Sequence, residues 1–205
     1  MNNRIVLFPG LGADKRVFDG IQLINDAVCI NYNKINFNQD IELVINDITD
    51  QYLIEPSDII ISTSFGGFLA GFFKNNHISL GGLLDKSELS IIFKFGLILR
   101  IYQYLPISIA PKFILKYFFG IRHKQTERLF FEMLNQYSHT KISSMLNLVN
   151  ISSFAHQSTL RIHGQYDKII SKPINVKHWN NFGHITSMQY HCLLYTSDAA
   201  DDGLS

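Results

Sequence analysis

The chain has 205 residues, of which 46% are hydrophobic and 17% charged, so it is long enough and apolar enough to bury one substantial core. A formal net charge of +1 gives no electrostatic reason to expect a nucleic-acid partner. Two cysteines, Cys29 and Cys192, do not make a disulfide framework, and no signal peptide follows Met1. We therefore expect a reducing, cytoplasmic setting.

Short apolar runs alternate with helical patterns in the first part of the chain. Runs at residues 5–8, 27–31, 59–61 and 78–84 are typical of strands buried on both faces. Residues 13–24, 40–53 and 65–74 carry helical patterns, and Asp40 is the expected N-cap of the second of these. Strands that alternate with helices predict an α/β fold with a mostly parallel sheet.

The strand pattern disappears over residues 88–153, where large apolar residues dominate. Helices are predicted over residues 89–102, 112–119 and 126–148, separated by Pro106 and Pro111. Lys94 and Arg100 interrupt the apolar run well short of the ~20 residues that a membrane span requires. Contact with a membrane surface remains an alternative, because basic residues lie among large apolar ones. We favour packing of these helices over a core.

The most informative motif is the corner that follows Asp58. An apolar β-branched run stops at Ser62-Thr63-Ser64-Phe65-Gly66, and an apolar helical run starts at once. A strand that turns sharply into a helix in this way exposes a serine at the end of the strand in the G-x-S-x-G motif. Here a serine, Ser62, replaces the first glycine. The motif predicts Ser64 as a nucleophile, and the alternative is an ordinary strand-to-helix turn.

Three further signals accompany this corner in a specific order. Residues 5–12 form a strand that breaks into a Pro-Gly-x-Gly loop, residues 159–167 read as a strand, a glycine turn and Asp167, and residues 176–184 end in Gly-His. With these four signals the chain resembles the α/β-hydrolase family of serine hydrolases over most of residues 4–190. The resemblance implies a three-layer α/β-hydrolase fold with a helical cap. Its core would comprise residues 1–87 and 154–191, and its cap residues 88–153.

The resemblance also implies roles for individual residues. Ser64 is the nucleophile, His184 the base and Asp167 the acid, while the backbone N–H groups of Leu11 and Phe65 form the oxyanion hole. The 17 residues from Asp167 to His184 leave little room for a helix between the last two strands. Asp85 remains an alternative acid, although its position also suits the N-cap of the first cap helix.

His163 and His178 are less well placed as bases, because they lie within predicted strands. The Gly10-Leu11-Gly12 loop lacks the full G-x-G-x-x-G pattern and a P-loop lysine, so nucleotide binding is not expected. No cluster of ligands has metal-site spacing, and no cofactor is implied.

The function predicted on this basis is cleavage of a small or medium carboxylic ester or thioester through an acyl-enzyme, with a small molecule as the partner. Two alternatives stay open. One is a C–C lyase or synthase similar to the menaquinone-pathway members of the fold, and the other is a non-catalytic binder of a hydrophobic ligand. The sequence leaves the oligomeric state open.

The tail over residues 192–205 resembles the translation of a sequencing adapter. This resemblance predicts that the tail is not native, that the natural sequence stops near His191, and that the fold is C-terminally truncated.

Overall fold

The computed structural model describes residues 4–19, 21, 27–106, 109–152, 160–171, 173–180 and 183–184. In this part of the chain six strands form one sheet in the order β2-β1-β3-β4-β5-β6, and all neighbouring strands are parallel. The predicted parallel sheet is therefore confirmed. Its strands are β1 (Ile5–Phe8), β2 (Val28–Cys29), β3 (Ile59–Ser64), β4 (Asn76–Gly82), β5 (Leu160–Gly164) and β6 (His178–Asn180).

Two helices pack in the first half of the fold. α1 (Ile41–Tyr52) begins after Asp40, whose side chain makes no capping hydrogen bond, and ends at Leu53 in a left-handed conformation. α2 (Phe65–Ala70) begins directly after β3, packs on β1, β3 and β4, and stops short of the predicted residue 74. α1 buries Val44 and Ile48, and every residue of α2 is buried.

The helix predicted over residues 13–24 is wrong in its described part. Only a 3₁₀ turn forms there, over Lys15–Phe18. The carboxylate of Asp14 accepts a hydrogen bond from the backbone N–H of Arg16 at 3.0 Å, which favours a short turn over a longer helix. Val17 and Phe18 are nevertheless buried. Residues 20 and 22–26 lie outside the described part of the chain.

Helices occupy the chain between β4 and β5. The predicted helix over residues 89–102 is two helices, α3 (Ile91–Ile98) and α4 (Ile101–Tyr104), because Arg100 has φ 52° and breaks the helical run. α5 (Lys112–Phe119) has the predicted bounds. The predicted helix over residues 126–148 is also two, α6 (Lys124–Leu134) and α7 (His139–Ile151). Ser138 caps α7 by accepting a hydrogen bond from the N–H of Lys141.

A buried ion pair links this helical segment to the sheet. Glu88 and Arg161 are both 0% exposed, and their side chains form two hydrogen bonds of 2.6 and 2.8 Å. Glu88 also accepts from the backbone N–H groups of Leu84 and Ile174. Arg161 lies on β5, so the pair fixes the start of the helical segment against the strand that leads to Asp167.

No helix in the described part of the chain is long and apolar enough to cross a membrane. The predicted non-native tail lies outside the described residues.

Candidate active site

Ser64 lies at a strained corner where β3 ends and α2 begins. Its φ of 46° and ψ of −123° lie in a region that side chains other than glycine rarely adopt. Such strain costs about 1–3 kcal/mol and persists only where the surrounding structure enforces it. Gly66 permits the close packing of this corner on β1, since a Cβ at that position would lie 2.0 Å from the carbonyl oxygen of Phe8. The corner is thus held close against β1.

Ser62 takes the place of the first glycine in the usual motif, and its surroundings show why a serine fits there. The side chain is fully buried, and its hydroxyl lies 2.6 Å from Nε2 of His77 on the neighbouring strand β4. Buried hydroxyls are tolerated when they have a hydrogen-bond partner. The serine therefore fits because β4 supplies a histidine within hydrogen-bond distance, which the sequence motif alone did not indicate.

Ser64, His184 and Asp167 form a continuous chain of hydrogen bonds. The Ser64 hydroxyl lies 2.7 Å from Nε2 of His184, and Nδ1 of His184 lies 2.8 Å from Oδ2 of Asp167. With Nδ1–H donating to the carboxylate, Nε2 is left as an acceptor for the serine proton. This is the geometry required for a base to activate a serine. The structure brings together the three residues that the sequence predicted.

Four hydrogen-bond donors surround the carboxylate of Asp167. Oδ1 accepts from the backbone N–H groups of Ile169 and Ile170 at 2.8 and 2.9 Å. Oδ2 accepts from His184, and Nε2 of His163 lies 3.1 Å from the same oxygen. Burial by itself raises the pKa of Asp167, but the charges and hydrogen bonds of the two histidines outweigh it and hold the pKa well below its usual range. The group is therefore held as a carboxylate.

Asp85, the alternative acid, acts as an N-cap. Its carboxylate accepts from the backbone N–H of Ser87 at 2.7 Å and caps the 3₁₀ turn Lys86–Glu88. His163 is fully buried on β5, and its Nε2 lies 3.1 Å from Oδ2 of Asp167, the same oxygen that His184 contacts. Sequence reasoning set His163 aside as a base and did not predict this contact.

The loop after β1 passes directly beside Ser64. A Cβ on Gly10 would lie 3.1 Å from Cβ of Ser64, so glycine is required for this approach. Two buried tyrosines fix the loop, because the Tyr32 hydroxyl donates to the carbonyl of Pro9 at 2.9 Å and the Tyr137 hydroxyl donates to that of Ala13 at 3.0 Å. Burial raises the pKa of both phenols, which keeps them protonated as donors. Neither tyrosine was predicted.

The two predicted oxyanion donors belong to the two segments that meet at Ser64, the start of α2 and the loop after β1. Phe65 is the first residue of α2, and the first N–H groups of a helix have no acceptor within the helix. Leu11 lies in the loop between Gly10 and Gly12, and all three residues line the cavity above Ser64. The arrangement provides backbone N–H groups on two segments that meet at the serine.

The cavity above Ser64 is small and mostly apolar. Its volume is about 30 Å³, which is the space of roughly two water molecules. Its apolar walls come from Leu11, Val17, Phe119, Phe130 and Met133. The site therefore has room for a small group beside the serine, and few polar atoms line it.

The polar residue Thr63 also lines the cavity above Ser64. The residue is 5% exposed, and its hydroxyl has no hydrogen-bond partner among the described residues. Buried hydroxyls without a partner are uncommon and call for a physical reason. A bound molecule in the cavity could supply the missing partner.

The end of α5 supports His184 from the helical segment. The ring of Phe119 packs edge-on against the imidazole, with the ring centroids 5.5 Å apart. Gly120 follows with φ 69°, and a Cβ there would lie 3.0 Å from Cα of Gly183. The two glycines allow the backbones to touch, so the position of His184 depends on α5.

No protein-family model and no curated protein sequence matches this chain. The fold is similar to several solved structures. A hydrolase from Pseudomonas aeruginosa PA01 aligns with a TM-score of 0.68 at 10% identity, covering 97% of this chain and 89% of that one. An esterase from Exiguobacterium antarcticum aligns with a TM-score of 0.67 at 12% identity, covering 97% and 91%.

A thermophilic esterase from Thermogutta terrifontis aligns with a TM-score of 0.66 at 13% identity, covering 100% of this chain and 90% of that one. At these identities the similarity concerns the fold, and it confirms the α/β-hydrolase architecture that the motifs predicted.

Proposed function

We propose that this chain is a serine hydrolase that cleaves a small carboxylic ester or thioester through an acyl-enzyme. The observation that carries the proposal is the chain of hydrogen bonds from Ser64 through His184 to Asp167. The fold shared with named hydrolases and esterases supports the same class of reaction. Fold alone does not determine function, so the argument depends on the site.

In the first half of the proposed reaction His184 acts as base and then as acid. Nε2 takes the hydroxyl proton while Oγ of Ser64 attacks the carbonyl carbon of the substrate. The negative charge on the carbonyl oxygen is stabilised by the N–H groups of Phe65 and Leu11. As the bond to the leaving group breaks, His184 protonates the departing alcohol or thiol, and the acyl group remains on Ser64.

In the second half water replaces the leaving group. His184 takes a proton from water, the hydroxide attacks the acyl carbon, and the proton returns to Ser64 as the carboxylic acid departs. Asp167 stays ionised throughout, because its low pKa favours the carboxylate, and it stabilises the imidazolium that forms in each half. The dense set of donors around Asp167 keeps the imidazole of His184 in one orientation.

The size of the cavity supports a short acyl group. A volume of about 30 Å³ accommodates an acetyl-sized group more readily than a long chain. Thr63 is proposed to donate a hydrogen bond to the bound substrate, because the residue lines the cavity and its hydroxyl has no partner among the described residues. We therefore expect p-nitrophenyl acetate to be a better substrate than p-nitrophenyl octanoate.

The test compares the chain with its Ser64→Ala variant on p-nitrophenyl acetate, with Ser62→Ala as the matched control. Ser62 is buried two residues away and contacts His77 instead of His184, so its removal should leave most activity. Ser64→Ala should lower kcat by about 10⁴ or more. Covalent labelling by a fluorophosphonate, read by intact mass, should likewise disappear only in Ser64→Ala.

Other outcomes separate the alternatives. If Ser64 is labelled but no ester or thioester is hydrolysed, the C–C lyase or synthase reaction becomes the better proposal. If the folded protein is neither labelled nor active, a ligand-binding role without catalysis replaces hydrolysis.

A further inference from the structure

The helices between β4 and β5 expose an unusual number of large apolar side chains. On α3, α4 and α5 the residues Ile92, Phe95, Ile98, Tyr104, Phe113 and Tyr117 are 57–79% exposed, and we call this surface the cap face. Surface helices normally turn charged residues outward and apolar residues inward. A contiguous exposed apolar surface on a folded protein marks a site of interaction.

The exposed side chains belong to neighbouring helices. Phe93 of α3 and Phe118 of α5 pack edge-on with ring centroids 5.2 Å apart, and α3 also packs on α4. On α3 the cap-face residues Ile92, Phe95 and Ile98 recur at intervals of three, which places them on one side of the helix. Leu97 of α3 and Leu115 of α5 are buried instead, so each helix already has its own inward-facing anchor. The cap face is therefore additional apolar surface.

The charge of this segment has one sign. Residues 89–126 contain no aspartate or glutamate, and their cationic residues are Lys94, Arg100, Lys112, Lys116, Arg122 and Lys124. The acidic residue that reaches in from the next turn is Glu127, which pairs with Lys116 at 2.6 Å. Because the whole chain carries a net charge of only +1, the acidic residues are concentrated elsewhere.

We propose that the cap face docks this protein on the surface of an anionic phospholipid membrane. Large apolar side chains beside an excess of basic ones are typical of helices that lie in the membrane interface. α3 and α5 have eight residues each, far fewer than the ~20 of a membrane span, so they lie on the surface. A second copy of this chain fits less well, because pairing through the cap face would bring like charges together.

The cap face continues to the active-site cavity. α5 carries Phe113 and Tyr117 on the exposed side and ends at Phe119, which lines the cavity. The ammonium of Lys168, next to Asp167 in the chain, lies 3.2 Å from the ring centre of Tyr117. Docking would therefore hold the cavity close to the lipid surface. The docking itself does not depend on the proposed hydrolysis.

The experiment is flotation of the whole chain with vesicles of phosphatidylcholine alone and of phosphatidylcholine mixed with phosphatidylglycerol, at low and high salt. We expect binding to the anionic vesicles only, weakened by salt. Arg100→Gln with Lys112→Gln should weaken binding by about 25-fold, or roughly fivefold for each cation. Lys34→Gln with Lys74→Gln removes the same charge outside the segment and should leave binding within about twofold.

A second variant tests the apolar contribution. Ile98→Gln with Phe113→Gln should weaken binding at least about tenfold. These side chains are 67% and 72% exposed, so the fold should survive, and circular dichroism checks this. Ser64→Ala should bind as the unaltered chain does, which separates docking from catalysis.

Three results would overturn the proposal. The first is no binding to either vesicle, and the second is binding that neither the Arg100 and Lys112 variant nor the Ile98 and Phe113 variant changes. The third is dimerisation in light scattering that Ile98→Gln with Phe113→Gln abolishes, without vesicle binding, which would make a second copy the occupant.

Discussion

The buried pair of Glu88 and Arg161 allows a quantitative prediction about stability. Both side chains are 0% exposed, and the carboxylate of Glu88 receives four hydrogen bonds, two from Arg161 and one each from the backbone N–H groups of Leu84 and Ile174. Glu88→Gln keeps the shape of the side chain but removes its charge. It also replaces one acceptor oxygen by a donor that faces other donors.

The expected cost follows from the charge that remains. Arg161 stays protonated at any accessible pH, so the variant leaves a buried cation without its counterion. Removing one partner of such a pair costs about 3–5 kcal/mol. That is a large part of a total stability of about 5–15 kcal/mol. In urea the unfolding midpoint should fall by about 1–2 M, since the dependence of the unfolding free energy on urea is a few kcal/mol per M.

Glu132→Gln is the matched control, because Glu132 is 45% exposed and pairs with Arg128 on the surface. Its loss should cost less than about 1 kcal/mol. If Glu88→Gln shifts the urea midpoint no more than Glu132→Gln does, the reasoning about the buried pair is wrong. Activity should fall as well, because the backbone of Glu88 accepts from Ser171 at 3.0 Å, close to the loop that carries Asp167.

Three other predictions concern the site and the helices. Because the pKa of Asp167 is held low, its carboxylate stabilises the fold above the unfolded pKa of about 4 and this contribution is lost as the pH falls; urea midpoints should show a flatter acid dependence in Asp167→Asn. Thr63→Val should lower kcat/KM about tenfold without loss of stability, because the hydroxyl it removes has no partner among the described residues. Thr63→Ser should restore activity, and an unchanged kcat/KM in Thr63→Val would contradict the proposed contact. Gly96→Ala should raise the free energy of unfolding by about 0.5–1 kcal/mol, since a Cβ there meets nothing within 4 Å. Gly66→Ala should lower it by at least about 1–3 kcal/mol, because its Cβ would overlap a carbonyl; equal effects of the two alanines would refute this reading of the backbone.

Local patterns in the sequence were sufficient for the architecture and for the three central side chains. The strand β1 and the helix α5 have the predicted bounds, because Pro9 follows the apolar run of β1 and α5 lies between Pro111 and Gly120. Ser64 could be predicted because the corner requires small residues at fixed offsets from the serine. The order of serine, acid and histidine then narrowed the choice of partners to residues at the ends of later strands.

Tertiary structure decided the features that depend on which distant side chains meet. The sequence already favoured Asp167 over Asp85, but the contact of Asp167 with a second histidine, His163, depends on how β5 packs and was not predicted. The helix break at Arg100 could not be predicted, because the residue at the break is neither glycine nor proline.

The ion pair of Glu88 and Arg161 joins residues 73 positions apart. A charged residue in a sequence usually indicates exposure, and only packing shows that both are buried. Sequence by itself therefore determined the fold class and the position of the predicted nucleophile at the corner. The three-dimensional packing alone decided what holds Asp167 and its loop in place and which apolar residues remain exposed on the cap face, because these depend on contacts between segments far apart in the chain.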